Sequence, residues 1–150
     1  MALRLDMARA VEHLGGAAAV AALVFTERGA GPDGETGRTS LAPKALIEGT
    51  GDIVLRRRDG APAYHLAVVV DDAFQGVTRV TRGCDLFAAV PVQRLLQALL
   101  GLPEPEYRHH RLIRDATGRR LAKRDRALSL AALRASGATP RDILGMVGLA

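Results

Sequence analysis

The densest chemistry in the chain is cationic. Gly118 to Arg126 reads GRRLAKRDR, with five basic residues and one acidic residue in nine positions. It follows a predicted strand and precedes a predicted helix. A cationic loop so placed suits a polyphosphate, because fixed positive charge can meet the negative charge that grows on a departing pyrophosphate. Lys123 is one of two lysines among 21 basic residues. A compact ammonium, where arginine dominates, points to a point-charge contact. A solvated turn is the plainer alternative. Arg82 stands at the end of a predicted strand, where a guanidinium can grip a carboxylate through two hydrogen bonds; an ion pair with Asp71, Asp72 or Asp85 would also account for it. Tyr64 brings a phenol beside an apolar run, either as a ligand-facing hydroxyl or as a core ring with its hydroxyl satisfied.

Other candidates carry less. Asp71 and Asp72 are neighbours on a predicted helix and so do not face each other; a solvated or capping role fits them. His109 and His110 fall in a strand-like stretch and point to opposite faces, which disfavours joint metal ligation. Cys84 is the sole cysteine, so an intrachain disulfide or multi-cysteine zinc site is excluded. Neither a G-x-x-x-x-G-K-[ST] phosphate loop nor a G-x-S-x-G elbow occurs.

These side chains need elements to hold them. Strands are predicted at Leu3–Met7, Ala21–Glu27, Asp52–Arg57, Val77–Thr81 and His109–Ile113. Helices are predicted at Ala8–Leu14, stopped by Gly15-Gly16, then at Leu41–Ile47 and Tyr64–Gly76. Another follows Pro91, with Val92, Leu95, Leu96 and Leu99 on one face, and ends at Gly101. Ser129 and Thr139-Pro140 open two short final helices. Gly29–Arg38 reads as a loop, and Arg114–Arg126 as a charged one. Mixed strands and helices of these lengths indicate an α/β fold. The apolar run Gly15–Phe25 is shorter than the roughly 20 residues of a membrane span and lacks the flanks of a signal peptide. It reads as a core helix entering a strand, in a cytoplasmic protein with no membrane partner.

The chain has 150 residues, 48% apolar and 25% charged. Wholesale disorder and low-complexity classes are thereby excluded. The net charge of +5 is uneven: residues 1–50 carry −1, residues 51–100 carry +1, and residues 101–150 carry +5. Such a field attracts nucleic acid, nucleotides or anionic surfaces without choosing among them; arginine-rich coding is the bland explanation.

The stretch Ala63–Ile113, AYHLAVVVDDAFQGVTRVTRGCDLFAAVPVQRLLQALLGLPEPEYRHHRLI, resembles the second half of the glutamyl-type class I aminoacyl-tRNA synthetase catalytic domain. An aromatic, VVDD, GVT, RG-x-D, a long helix and an LG-LP ending stand in the family's order. Arg120-Leu121-Ala122-Lys123-Arg124 occupies the place of the family's KMSKS-type loop. RLDMARA near the start and TERGAGPDGETG are similar to the branch that attaches glutamate to queuosine of tRNA(Asp). The resemblance covers nearly the whole chain.

It implies a Rossmann-like second half followed by short C-terminal helices, and an enzyme that activates glutamate with ATP, accompanied by magnesium, before transfer to RNA. By position, Tyr64 and Arg82 match glutamate-binding residues. Lys123 matches the loop lysine that contacts ATP in catalysis, and Arg120 keeps the charge of the loop's first lysine. Ala122 replaces the usual serine and removes a hydroxyl donor. No role transfers to Asp71, Asp72 or Cys84. The family's HIGH-type motif and, in this branch, its zinc segment are not among the 150 residues. The expectation is therefore a C-terminal part of the catalytic domain, weakly active or inactive without an N-terminal half. A truncated glutamyl-tRNA synthetase and a non-catalytic basic RNA-binding remnant are the rival expectations.

Overall fold

Asp6 begins the first helix by accepting a hydrogen bond from Arg9 N–H at 3.0 Å, the usual device for satisfying a free helical donor. In the computed structural model, residues 1–114, 118 and 129–149 are described. They fall into two units, Met1–Arg111 and Leu112–Ala150. The loop residues Lys123 and Arg120 lie outside the described residues.

In the first unit, strand β1 (Leu3–Leu5) leads into helix α1 (Met7–His13). Gly15 takes a φ of 98°, a left-handed turn that a side chain would resist. It ends α1, as expected, and a second helix, α2 (Gly16–Ala22), begins directly after it. The alanines of the apolar run thus stay helical, and strand β2 is confined to Val24–Glu27, where β-branched and aromatic residues begin. Strand β3 (Gly37–Ser40) pairs antiparallel with β2 and was not anticipated; the turn-rich segment before it is the connection of that pair. The helix expected at Leu41–Ile47 is displaced and wound as a π-helical turn at Ala45–Thr50, since Pro43 disfavours helix in the residue before it. Strand β4 (Ile53–Arg56) returns to pair antiparallel with β1.

The remaining elements build the larger sheet. Helix α3 (Tyr64–Phe74) is followed by strand β5 (Arg79–Gly83), a 3₁₀ turn (Cys84–Ala89), helix α4 (Val90–Leu100) and strand β6 (Glu106–His110). The sheet order is β3-β2-β6-β5, with β6 parallel to both β2 and β5. β5, α4 and β6 therefore form a crossover unit, as parallel strands require. Pro91 sits at the start of α4, and Gly101 closes it at a φ of 63°. Val92, Leu95 and Leu96 are buried, together with Val20, Phe25, Val69, Val90 and Tyr107, in one core.

Two strands differ from expectation by their register. β5 lies two residues later than Val77–Thr81, and β6 three residues earlier than His109–Ile113. Both follow the ladder that pairs Arg79 with Glu106 and Gly83 with His110. Arg82 is thus inside the strand, not after it. In the second unit, α5 (Leu130–Ala135) is capped by Ser129, and α6 (Pro140–Met146) carries a reciprocal cap between Thr139 and Asp142. These are the expected short helices. No helix of the described residues is long and apolar enough to cross a membrane.

Candidate functional site

Alternation in β6 buries Tyr107 and His109 and exposes Arg108 and His110, so the two histidines do face apart. The same period in β2 buries Phe25 and Glu27. Phe25 and Tyr107 meet edge to face at 6.0 Å, and Phe25 also packs on Phe87. This aromatic floor carries a polar row across three strands: Glu27 on β2, His109 on β6 and Arg82 on β5.

Glu27 is 1% exposed, so its carboxylate must be satisfied within the fold. Its Oε1 accepts the backbone N–H groups of Gly29 at 2.7 Å and His109 at 2.9 Å. Its Oε2 lies 2.6 Å from His109 Nδ1. Burial pushes its pKa upward, but the His109 backbone and ring bonds and the Gly29 bond outweigh that and hold it below the ordinary value. The backbone approach is close: a Cβ on Gly29 would overlap the carbonyl oxygen of His109 and sit 2.9 Å from its nitrogen.

The far nitrogen of the same ring, Nε2, accepts from Arg82 Nε–H at 3.1 Å. An arginine Nε always donates, so Nε2 carries no hydrogen. Nδ1 therefore holds the ring hydrogen that Glu27 accepts, and His109 is a neutral imidazole. The short contact with Glu27 is thus a charge-assisted hydrogen bond and not an ion pair.

Arg82 makes two further contacts. Its Nη2 donates to Gln93 Oε1 at 2.9 Å, and its Nη1 points to the Tyr64 hydroxyl at 3.5 Å. Its guanidinium carbon stands 5.5 Å from the centroid of the Tyr107 ring, within cation–π range. These hydrogen bonds all go to neutral groups, unlike the ion pair with Asp71 or Asp72 that the sequence also allowed. Asp72 nonetheless feels the arginine: burial raises its pKa, which the charge of Arg82 lowers in part and Asp71 raises further. Burial and then Arg82 lower the pKa of His65.

Tyr64 stands at the start of α3 and is 51% exposed, so the core reading of its ring does not hold. Two of the sequence-derived site residues, Tyr64 and Arg82, are brought together. The structure adds Glu27, His109 and Gln93, which sequence reasoning had missed as site residues. Gln93 Nε2 and His65 Nδ1 are buried near this arginine without a hydrogen-bond partner among the described residues. No group of three or more His, Cys, Asp or Glu among the described residues could hold a metal ion. The arrangement can take a carboxylate: a half-buried guanidinium, fixed on one side, offers its remaining donors next to an exposed phenol.

A mixed sheet whose β2, β6 and β5 run parallel, with α4 as the crossover between β5 and β6, defines an α/β fold. The family model described as "tRNA synthetases class I (E and Q), catalytic domain" matches residues 30–150. The chain belongs to that family. It is 56% identical over 109 residues to the glutamyl-Q tRNA(Asp) synthetase of Rhodobacter capsulatus, covering 73% of this chain and 39% of that protein. With the protein of the same description from Nocardia farcinica it shares 53% identity over 96 residues, 64% of this chain and 31% of that one. Among solved structures, the glutamate-tRNA synthetase of Elizabethkingia anophelis aligns with a TM-score of 0.50 at 33% identity, over 59% of this chain and 17% of that one. The chain thus spans less than half the length of these relatives.

Proposed function

We propose that the 150 residues are the C-terminal part of a catalytic domain that activates glutamate with ATP and transfers it to the queuosine of tRNA(Asp). Tyr64 and Arg82 bind glutamate in this reading. The observation that carries it is their convergence, 3.5 Å apart, with the guanidinium held by neutral partners and, among the described residues, no carboxylate hydrogen-bonded to it. A substrate carboxylate completes that charge balance. The relatives' descriptions support the choice of glutamate and tRNA(Asp).

Activation joins a carboxylate oxygen of glutamate to the α-phosphorus of ATP as the bond to pyrophosphate breaks. Lys123 and Arg120 are assigned to the ATP phosphates, where their charge meets that of the leaving group. Magnesium would accompany ATP as its counter-ion. The HIGH-type part of the site is assigned to sequence outside these residues, and the protein to the cytoplasm.

Because positioning supplies several kcal/mol of catalysis, these residues alone are expected to exchange pyrophosphate into ATP very slowly or not at all. The test is a titration of the chain with L-glutamate, followed by NMR at the Arg82 side chain, together with glutamate transfer to tRNA(Asp) with and without queuosine. Glutamate-dependent shifts at Arg82, and any transfer requiring queuosine, support the reading. No shift at millimolar glutamate refutes it. Transfer to a tRNA 3′ end would indicate a glutamyl-tRNA synthetase. Salt-dependent tRNA binding without glutamate binding would indicate an RNA-binding module.

A further inference from the structure

A guanidinium has five N–H donors around a planar fork. In Arg82 the side edge is fully used, because Nε donates to His109 and Nη2 to Gln93. Among the described residues, what is left is the end edge between Nη1 and Nη2 and the outer Nη1–H, with Nη1 beside the Tyr64 hydroxyl. The orientation of that edge depends on His109 Nε2 being an acceptor. This in turn depends on Nδ1 bearing the hydrogen, which Glu27 enforces: its Oε2 accepts from Nδ1 while Oε1 is occupied by two backbone donors. Glu27 makes no contact with Arg82, yet it determines which ring nitrogen is free to receive it.

We infer that Glu27 and His109 are positioning residues, a buried relay that fixes the imidazole tautomer and so presents the end edge of Arg82 toward Tyr64. The part of this inference that concerns substrate rests on the glutamate-binding reading above. The tautomer and the restraint of Arg82 do not.

The decisive variant is Glu27→Gln. It preserves size, and its amide oxygen can still accept the Gly29 and His109 backbone hydrogens. The amide NH₂ then faces Nδ1, which must become an acceptor. The ring hydrogen moves to Nε2, where it meets Arg82 Nε–H donor against donor. The chain labelled with ¹⁵N is expected to show a protonated Nδ1 and a bare Nε2 at His109, with a slowly exchanging Arg82 Nε–H. In Glu27→Gln the nitrogen pattern is expected to reverse and the Arg82 signal to lose its protection. His109→Gln, whose amide oxygen can accept from Arg82, is expected to restore part of that protection, whereas His109→Phe keeps the ring and restores none.

Titration with L-glutamate supplies the second arm, in which Glu27→Gln is expected to weaken binding about tenfold through loss of one oriented charge-assisted contact. A bare Nδ1 in the native chain, or an unchanged Arg82 signal in Glu27→Gln, overturns the inference. A native chain with the expected tautomer but no response to glutamate overturns only the functional reading.

Discussion

Removing the carboxylate outright, by Glu27→Ala, tests the energetic weight of the buried row. Three donors lose their acceptor: Gly29 N–H, His109 N–H and His109 Nδ1–H, now at 2.7, 2.9 and 2.6 Å. A buried donor left unsatisfied costs about 1–3 kcal/mol. At the lower bound the three together destabilise the first unit by about 3 kcal/mol, a large share of the roughly 5–15 kcal/mol available to a domain. Unfolding entropy near 2.1 cal/mol/K per residue gives a unit of this size about 0.23 kcal/mol/K, so the midpoint should fall by about 13 °C. Tyrosine fluorescence reads this cleanly. The chain has no tryptophan, and its two tyrosines, Tyr64 and Tyr107, both lie in the first unit.

Acid supplies the control. The native pKa of Glu27 is lowered, so its stabilisation is present above the ordinary carboxylate value of about 4.3 and is lost as pH falls through the lower native value. The stability gap between native chain and Glu27→Gln should therefore narrow as pH falls below about 4.3. A midpoint change under about 4 °C in Glu27→Ala, or a gap that does not narrow in acid, would refute the reasoning.

Other predictions test neighbouring contacts. His65 has a pKa lowered first by burial and then by Arg82, so it contributes stability above about 6.5 that is lost on acidification; His65→Leu should flatten urea midpoints between pH 7 and 5. Gly29→Ala puts a methyl into the His109 backbone and should cost about 3 kcal/mol by the same denaturation, whereas Gly34→Ala, with open space but a φ of 85°, should cost about 1 kcal/mol. Tyr107→Phe removes the acceptor of Gln97 Nε2, a buried bond of 3.0 Å, and should cost about 1–2 kcal/mol, followed through Tyr64.

Much of the scaffold was legible from residue type. Pro91, the Val92–Leu99 face and Gly101 define α4 locally, and the structure places it there. Strand limits were less legible, because Val77 and Thr78 have β-type side chains but the ladder partner of β5 begins at Arg79. Pairing is a property of two segments, and neither alone announces its register. β3 was hidden for a similar reason: Gly37–Ser40 has no apolar alternation and exists as a strand because β2 offers it an edge.

At the site, Arg82 and Tyr64 were visible through their chemistry. Glu27 and His109 were not, since each was weighed alone, Glu27 only as the end of a predicted strand and His109 only as a disfavoured metal ligand. A signal was present in their spacing. Glu27 stands two residues after Phe25, and His109 two after Tyr107, so an inward aromatic implies an inward polar group on each strand. Two such groups need each other, or a third partner, to be buried at all.

The strand order has a consequence in time. β6, at the centre of the larger sheet, is the last strand of the first unit to be synthesised, and β2 pairs with it across some 80 residues. Closing a loop of that length costs about 4 kcal/mol of chain entropy before any contact repays it. The hairpin of β2 and β3 must therefore wait with an open edge, and assembly should be slow for a unit of this size. Glu27, His109 and Arg82 come from three strands that meet only at that final step. The arginine acquires its fixed orientation when the sheet closes and not before, so a partly assembled chain carries every residue of the relay without its geometry.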